Sequence, residues 1–408
     1  MAAEPAFVIV GASLAGAKAA ETLRAEGFGG DIVLLGQETE LPYERPPLSK
    51  GLLLGKDEKS SIYVHDAAWY QENAVDLRTG VTVTGVDAAQ HEVRTDGGAT
   101  VAYRKLLLAT GSSPRRLRCP GGDLDGVLYL RQVEDSERLR SALSDGAQVV
   151  VVGAGWIGLE VTAAAREAGC DVTVVEPEPT ALHRQLGPEL GAVFTALHID
   201  HGVTFRFGET VTELLGSGGR VTQAVTSSGA RLPADVVVVG IGAVPNTALA
   251  EEAGLEVRDG VVADAALRTT DPDVFVAGDI ARYYHPLYDQ QIRVEHWANA
   301  LTGGPVAAKS MLGQRVAHDG VPYFFSDQYD LGMETAGLPE PGSYDRVVYR
   351  GDRDRREFIA FWLKGGVLVA GMNVNWWDVN EDIQSMVRAR REPDADRLAD
   401  PDVPLSEL

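Results

Sequence analysis

The chain has 408 residues, 45% of them hydrophobic, and a formal net charge of −22 at pH 7. The length suggests roughly two to three domains, and the strong negative charge disfavours nucleic acid or an anionic membrane surface as a partner. No run approaches the ~18 apolar residues of a membrane-spanning helix, and the first cation is Lys18, so we expect neither a membrane span nor a secretory signal.

A strand–helix–strand pattern with a glycine-rich turn opens the chain. The turn reads Gly11-Ala-Ser13-Leu-Ala-Gly16. In turns of the dinucleotide-binding type, the first glycine permits a tight bend, the second position lets the backbone approach a pyrophosphate, and the third lets helix and strand pack closely. The pyrophosphate then lies at the free N–H groups of the helix. The predicted elements are a strand at 7–10, a helix at 15–26 and a strand at 31–35.

A second turn of the same kind, Gly153-Ala-Gly155-Trp-Ile-Gly158, follows about 140 residues later. Its predicted neighbours are a strand at 149–152, a helix at 157–167 and a strand at 172–175. One such turn is a weak signal because glycine turns after strands are common. Two in one chain predict two bound dinucleotides, and a flavin with a nicotinamide is the usual pair.

Three further apolar strands end at small or acidic residues, near Gly111, Gly242 and Asp279. This pattern predicts an α/β fold with two Rossmann-like dinucleotide-binding domains, the second inserted in the first. After about residue 322, strands and tryptophans replace the glycine turns, which predicts a C-terminal α+β domain. The predicted boundaries are 1–112 with 245–321 for the first domain, 113–244 for the inserted domain, and 322–408 for the last.

Glu176 directly follows the second strand of the inserted unit. A carboxylate there can accept hydrogen bonds from both hydroxyls of an adenosine ribose and repels a 2′-phosphate. The next four residues bring no cation, and Arg184 is too far along to bind a phosphate there easily. The second turn is therefore predicted to prefer NADH. Glu38 is the corresponding, weaker candidate for the first turn, its alternative being a solvated loop residue.

Further motifs accompany the two glycine turns and together with them span nearly the whole chain. They are Leu41-Pro-Tyr-Glu-Arg45-Pro46-Pro47-Leu48-Ser49-Lys50, Ala109-Thr-Gly, Gly240-x-Gly-x-x-Pro-Asn246, Val276-Ala-Gly-Asp279, Glu295-His-Trp297-Ala-Asn299-Ala and Pro322-Tyr-Phe-Phe-Ser-Asp-Gln328-Tyr. With these motifs the chain resembles the flavoproteins with two dinucleotide-binding domains, and among them the NADH-dependent ferredoxin and rubredoxin reductases that supply bacterial oxygenases. Ser13 replaces the usual middle glycine of the first turn, and Phe325 stands where tryptophan is common in that family.

The resemblance implies that the first turn binds FAD and the second NADH. The implied FAD-binding residues are Gly11, Ser13, Leu14, Ala15, Gly16, Glu38, Arg45, Pro46, Lys50, Ala109, Thr110, Gly111, Gly278, Asp279, Glu295, His296 and Trp297. The implied NADH-binding residues are Gly153, Gly155, Trp156, Ile157, Gly158, Glu160, Glu176, Gly240, Ile241 and Gly242. Asp279 would accept a hydrogen bond from a ribityl hydroxyl, its alternative role being a helix N-cap.

Three residues are implied in catalysis. Lys50 would favour the negative charge that gathers on the flavin as hydride arrives, and Glu160 would position that lysine. Trp297 would lie beside the flavin on the electron exit path, with core packing as its alternative. Trp156 has the same two alternatives, cofactor contact or packing against the sheet.

Electrons must then leave the chain. Cys119 and Cys170 are about 50 residues apart, so thiol–disulfide chemistry is not expected. No cysteine or histidine spacing suggests a metal. The predicted function is an NADH:ferredoxin oxidoreductase, an FAD flavoprotein of electron transport that serves a [2Fe–2S] ferredoxin of a cytochrome P450 or dioxygenase system. The alternatives are a rubredoxin reductase, an NADH oxidase, or an NADH-sensing signalling flavoprotein resembling apoptosis-inducing factor. We expect a cytoplasmic monomer or weak homodimer.

Overall fold

The computed structural model describes residues 5–339 and 342–408. They form two compact units, and the chain passes between these units several times. The first unit contains 5–45, 59–113 and 244–322, and the second contains 46–58, 114–243 and the described part of 323–408. The predicted division into three domains stays a prediction.

Strands and helices alternate around the two glycine turns, and runs of consecutive strands make up much of the rest of the chain. The strands are β1 (Ala6–Val10), β2 (Ile32–Leu35), β3 (Val75–Arg78), β4 (Val83–Asp87), β5 (Glu92–Thr95), β6 (Thr100–Leu108), β7 (Ser112–Pro114), β8 (Val127–Leu128), β9 (Gln148–Val152), β10 (Asp171–Glu176), β11 (Thr204–Phe207), β12 (Val211–Ser217), β13 (Arg220–Thr226), β14 (Arg231–Pro233), β15 (Val236–Val239), β16 (Ala243–Pro245), β17 (Val261–Ala263), β18 (Val274–Val276), β19 (Ala281–His285), β20 (Gln290–Ile292), β21 (Tyr323–Gln328), β22 (Leu331–Gly337), β23 (Arg346–Asp352), β24 (Glu357–Lys364) and β25 (Val367–Val374).

The helices follow the same chain order. They are α1 (Leu14–Ala25), α2 (Ala67–Glu72), α3 (Val133–Ala142), α4 (Trp156–Glu167), α5 (His183–Asp200, kinked at Gly187), α6 (Ala248–Glu252), α7 (Trp297–Met311), α8 (Asn380–Arg388) and α9 (Ala395–Ala399). Short 3-10 helices occur at Pro46–Ser49, Lys59–Ile62, Gly278–Ile280 and Leu405–Glu407.

The first unit is built on a mixed sheet, in which β1, β2, β3, β6 and β18 are parallel and β5 runs antiparallel to its neighbours β4 and β6. Its strand order is β3-β2-β1-β6-β5-β4, and β18 also pairs with β6. Strands β1 and β2 are buried along their whole length, as expected of parallel strands that are covered on both faces. Helices α1 and α7 cross closely, since a Cβ atom on Gly304 would lie 2.3 Å from the carbonyl oxygen of Ala15. A second sheet of the unit has the order β17-β19-β20.

The second unit combines a parallel sheet, β11-β10-β9-β15-β8, with the antiparallel sheets β12-β13-β14 and β21-β22-β25-β24-β23. Alternate residues of β9 enter two different hydrophobic clusters, Val149 and Val151 in one and Val150 and Val152 in the other. Such alternation is expected of a strand buried on both faces. Trp362 in β24 is fully buried and belongs to the cluster of Val149 and Val151.

The predicted fold class is confirmed. Both strand–turn–helix units form at the predicted positions, and their elements begin and end within about one residue of the prediction. The periodicity sufficed here because short, wholly apolar strands next to glycine turns leave little freedom for another assignment. The last 80 or so residues form an antiparallel sheet with two helices, which matches the predicted α+β character.

Candidate dinucleotide-binding and redox site

The outer glycines of both turns are required by the packing of the protein itself. Gly11 has φ +120°, and a Cβ atom there would lie 2.1 Å from the carbonyl oxygen of Ala109. Gly153 has φ +100°, and its Cβ atom would lie 2.4 Å from the carbonyl oxygen of Gly240. Gly16 and Gly158 would clash in the same way with the first glycine of their own turn, at 2.1 and 2.2 Å. Any larger residue at these positions would displace backbone.

The middle position of the second turn is different. Gly155 has φ −80°, which any residue adopts, and the nearest atom to a Cβ there, Nε2 of Gln185, is 3.8 Å away. Nothing in the described chain therefore demands glycine at this position. The open space leaves room for a bound group to approach the backbone, which is the function expected of the middle glycine.

Both helix N-termini are suited to an anion. Ser13 caps α1 without a hydrogen bond from its side chain to the helix N–H groups, and Gly155, which has no side chain, caps α4. Neither helix has an acidic residue in its first turn. The free N–H groups and the positive end of each helix dipole are thus uncompensated by a protein carboxylate on that helix, and they fit a pyrophosphate. Ser13 occupies the middle position of the first turn.

Glu176 lies at the end of β10, beside the second turn. Its carboxylate accepts a hydrogen bond from the backbone N–H of Ala154 at 2.6 Å and from that of Glu178 at 3.0 Å. These bonds fix a negative charge where the sequence predicts contact with a ribose. Arg184 bonds Glu178 at 2.7 Å, so the cation nearest along the chain is engaged by another carboxylate. The local charge disfavours a 2′-phosphate.

Polar predicted residues of the first unit form defined pairs. Arg45 donates to Oε1 of Glu38 at 2.7 Å, and Tyr43 donates to the other carboxylate oxygen. Asp279 is buried in the Gly278–Ile280 turn and accepts a hydrogen bond from Ser112 Oγ at 2.7 Å. It caps no helix, because the cap of that turn is Ala277.

The turn at 109–111 is braced by the residue that follows β16. Thr110 donates its hydroxyl to the carbonyl oxygen of Asn246 at 2.9 Å, and the Asn246 amide donates back to the carbonyl oxygen of Thr110 at 2.8 Å. Ala109 contacts the first glycine turn, as described above. Gly111 has φ +65°, a conformation that favours glycine.

Residues 295–297 lead into α7. Glu295 is exposed and pairs with Arg293, His296 occupies the N-cap position, and Trp297 is the first residue of the helix and partly buried. Asn299 supports this segment by donating to the carbonyl oxygen of Val294 at 2.8 Å. Trp297 lies in the first unit, whereas Lys50 and Glu160 lie in the second.

Apolar side chains surround the second turn. Ile157 is 46% exposed and Ile241 is 37% exposed, which is unusual for isoleucine. Trp156 packs against Phe194 and Phe324, with ring centroids 5.5 and 4.8 Å apart. This contact favours the packing alternative for Trp156. Gly242 has φ +97° and lies near Arg115.

Lys50, which is partly buried, and Glu160, which is buried, form an ion pair. The Nζ atom of Lys50 is 2.7 Å from Oε1 of Glu160, whose side chain is only 4% exposed. Ser49 and Ser326 also donate their hydroxyls to this carboxylate, Ser326 at 2.7 Å. The ammonium further lies 5.4 Å from the centroid of Phe325. Three donors and an aromatic face hold one cation and one anion in a fixed arrangement.

Sequence reasoning missed several members of this cluster. Ser326 and Gln328 alternate along β21, so both point to the same face of the strand, a signal that could have grouped them. Gln328 donates to Ser326 at 3.1 Å, and His198 of α5 bonds Gln328 at 2.9 Å. His198 carries no local signal, because its α5 position is brought here only by tertiary packing.

The two cysteines are free and separate. Cys119 packs against the cluster that contains Val150, whereas Cys170 is buried in the cluster that contains Val149. Burial raises the pKa of both thiols, which keeps them protonated and unreactive at neutral pH. Neither cysteine is placed to exchange electrons with the other.

Residues 5–339 and 342–408 hold neither a metal-binding cluster nor a helix suited to cross a membrane. They contain no group of three or more histidine, cysteine, aspartate or glutamate side chains arranged to hold a metal ion. Within the same ranges, no helix combines the length and the apolar character needed to cross a membrane.

The chain combines two strand–turn–helix units, each with a glycine turn, and an ion pair between Lys50 and the buried Glu160. This combination defines a two-dinucleotide oxidoreductase fold. The chain belongs to the pyridine nucleotide-disulphide oxidoreductase family, which it matches over residues 5–304. Residues 323–408 match the reductase C-terminal family.

Full-length relatives support this assignment. The ferredoxin–NAD(+) reductase component of the anthranilate 1,2-dioxygenase system of Burkholderia cepacia is 42% identical, over 99% of both chains. A rubredoxin–NAD(+) reductase of Pseudomonas putida is 38% identical, over 91% of this chain and 96% of its own. The reductase in a covalent putidaredoxin reductase–putidaredoxin complex matches with TM-score 0.96 and 36% identity, over 99% of this chain and 98% of that one.

Proposed function

We propose that this protein is an FAD-containing NADH:ferredoxin oxidoreductase, which takes hydride from NADH and passes single electrons to a [2Fe–2S] ferredoxin of a cytochrome P450 or dioxygenase system. The observation that carries the proposal is the pair of glycine turns, each at a helix N-terminus without an acidic residue in its first turn, in a chain whose two cysteines lie in separate clusters. Without a dithiol to receive them, the electrons pass to an external acceptor.

The first unit fits FAD. The N–H groups at the start of α1 would hold the pyrophosphate, and the buried carboxylate of Asp279 would accept a hydroxyl. Glu38 would bind the adenosine ribose, with Arg45 and Tyr43 fixing its position. When bound, FAD supplies a group that accepts two electrons together and releases them one at a time.

The second unit fits NADH. Gly155 leaves its backbone open to the pyrophosphate, and the exposed Ile157 and Ile241 offer an apolar surface to the rings. Glu176 would accept the ribose hydroxyls, and its charge would reject NADPH. The preference for NADH would therefore rest on repulsion between Glu176 and the 2′-phosphate of NADPH, and on the ribose hydrogen bonds that NADPH loses.

Lys50 supplies the fixed positive charge of the site. Negative charge that develops nearby during hydride transfer is stabilised without reorganisation, because Glu160, Ser49 and Ser326 already hold the surroundings of the ammonium in place. Trp297 keeps its proposed role at the electron exit.

The acceptor is proposed from the relatives. The anthranilate dioxygenase component and the putidaredoxin reductase favour a ferredoxin. The Pseudomonas putida relative favours rubredoxin as the second candidate. We further propose a cytoplasmic location, which the free, protonated thiols support, and a monomeric or weakly dimeric state.

A steady-state assay tests the proposal. Purified protein reconstituted with FAD is supplied with NADH and either a [2Fe–2S] ferredoxin, a rubredoxin, O₂ or ferricyanide. Ferredoxin reduction well above the O₂ rate is expected. Turnover with O₂ alone would instead identify an NADH oxidase, and a slow single reduction without turnover would identify an NADH sensor. Ferricyanide reports only that the flavin is reduced.

A further inference from the structure

A continuous series of hydrogen bonds runs from the buried Glu160 carboxylate to the edge of the second unit. Ser326 Oγ donates to Glu160 at 2.7 Å, and Gln328 Nε2 donates to Ser326 Oγ at 3.1 Å. Gln328 Oε1 lies 2.9 Å from His198 Nε2, and His198 Nδ1 lies 3.3 Å from the Tyr329 hydroxyl. Glu160, Ser326, Gln328 and His198 are buried, whereas Tyr329 is partly exposed. We call these five residues the Glu160 chain.

The direction of every bond follows from counting donors. A carboxylate only accepts hydrogen bonds, so the single hydroxyl proton of Ser326 is used in the bond to Glu160. Ser326 Oγ must therefore accept a hydrogen bond from the amide of Gln328. The amide oxygen of Gln328 then faces His198, whose Nε2 must carry the proton. Burial lowers the pKa of His198 to about 4, so the ring is neutral and its Nδ1 accepts from Tyr329. All four donors point towards Glu160.

The backbone conformation and the contacts of Tyr329 indicate that its surroundings hold it in place. It has φ +56° in the two-residue connection between β21 and β22, a conformation that is strained for a bulky residue and that glycine usually adopts. Its ring stacks on His201 with centroids 3.7 Å apart, and its hydroxyl bonds His198. Strained residues persist where their surroundings hold them, often near functional sites.

We propose that Ser326, Gln328, His198 and Tyr329 are positioning residues that orient the Glu160 carboxylate and thereby fix the Lys50 ammonium for hydride transfer. This role rests on the proposed function. The chain of neutral dipoles holds one carboxylate oxygen from the side of β21, while Ser49 holds the other. Loss of a middle member frees Glu160 to rotate and lets Lys50 move with it.

Substitutions of His198 test whether the proton on Nε2 is the one that matters. Glutamine places an N–H donor near the position of Nε2, whereas asparagine places its donor near the position of Nδ1. His198→Gln should keep the rate of flavin bleaching at saturating NADH within about twofold, while His198→Asn and Gln328→Leu should lower it about three- to tenfold, the effect of one lost hydrogen bond. The Kd for NADH and the FAD content should not change.

Asn380→Leu is the matched control. It also removes a buried amide of the second unit that bonds another side chain, Asn373, but it lies outside the Glu160 chain. It should destabilise the protein to a similar degree and leave the bleaching rate unchanged. A rate loss equal to that of Gln328→Leu, or equal rates for His198→Gln and His198→Asn, would overturn the proposal.

Nuclear magnetic resonance tests the Glu160 chain in the absence of NADH. Nitrogen-15 shifts should identify His198 as the neutral tautomer with the proton on Nε2, and Gln328→Leu should shift the Glu160 carboxyl carbon signal. A proton on Nδ1 would overturn the Glu160 chain whatever the enzyme does. Failure of NADH to bleach the unmodified protein would instead contradict the proposed function, so the two failures are distinguishable.

Discussion

Gly155→Ala should separate folding from nucleotide binding. The backbone conformation at Gly155 suits alanine, and the added Cβ atom would have no protein neighbour nearer than 3.8 Å. Reduced freedom of the unfolded chain stabilises such a substitution by about 0.4–1 kcal/mol. Alanine is a poorer N-cap than glycine by a similar amount, about 0.5–1 kcal/mol. The free energy of unfolding should therefore change by less than about 1 kcal/mol.

NADH binding should respond quite differently. The open space at Gly155 is where the pyrophosphate is expected, and forcing a methyl group into a filled contact costs about 1–3 kcal/mol. This corresponds to a loss of NADH affinity of about 5- to 150-fold. Equilibrium titration of the flavin-loaded protein with NAD⁺ or a nonreacting NADH analogue measures the affinity, and denaturant unfolding without nucleotide measures stability.

Gly153→Ala is the matched control. Its Cβ atom would lie 2.4 Å from a backbone oxygen at φ +100°, so this variant should be severely destabilised or fail to fold. If Gly155→Ala keeps both its stability and its nucleotide affinity, the second turn does not bind the pyrophosphate, and the reasoning from its open middle position is wrong.

Four further outcomes are expected. Lys50→Met should slow bleaching by saturating NADH about 10²-fold or more with FAD retained, whereas an unchanged rate in stopped flow would place Lys50 outside the site. Glu176→Ala should narrow the preference for NADH over NADPH about tenfold in kcat/KM, and equal use of the two by the unmodified protein would refute the role of Glu176. Replacing Cys119 and Cys170 with serine should leave the bleaching rate within about twofold, and a larger loss would revive thiol chemistry. Burial holds the pKa of His198 near 4, below its ordinary 6.5, so the unfolded state binds this proton first as the pH falls. The histidine's contribution to the free energy of unfolding should therefore fall by about 2–3 kcal/mol between pH 6.5 and 4 and level off below pH 4. A His198→Gln variant with the same pH dependence would contradict this.

The sequence was most informative where local chemistry alone determines structure. A wholly apolar strand, a glycine that must have positive φ and a following helix are all written within some 15 residues, so both dinucleotide units could be predicted closely. Glu176 could be singled out for the same reason, because the end of a parallel strand has a defined place in the sheet.

The surroundings of Glu160 could not be derived in this way. Its direct partners Ser49 and Ser326 come from two distant segments, and a third segment supplies His198, which bonds Gln328 next to Ser326. Each residue alone reads as an ordinary polar side chain, and only the packed second unit shows that their donors converge. The short segment with Lys50 is a further example, since it groups with the second unit although first-unit residues flank it in the sequence.

The interleaving of the two units has a consequence for biosynthesis. Strand β6 of the first unit pairs with β18, which is translated about 165 residues later. At about 5–20 residues per second, the ribosome needs roughly 10–30 s to supply that partner. During this interval β6 presents an unpaired apolar edge, a known starting point for aggregation. Expression at low temperature with abundant chaperones should therefore raise the yield of folded protein more than strengthening its final contacts would.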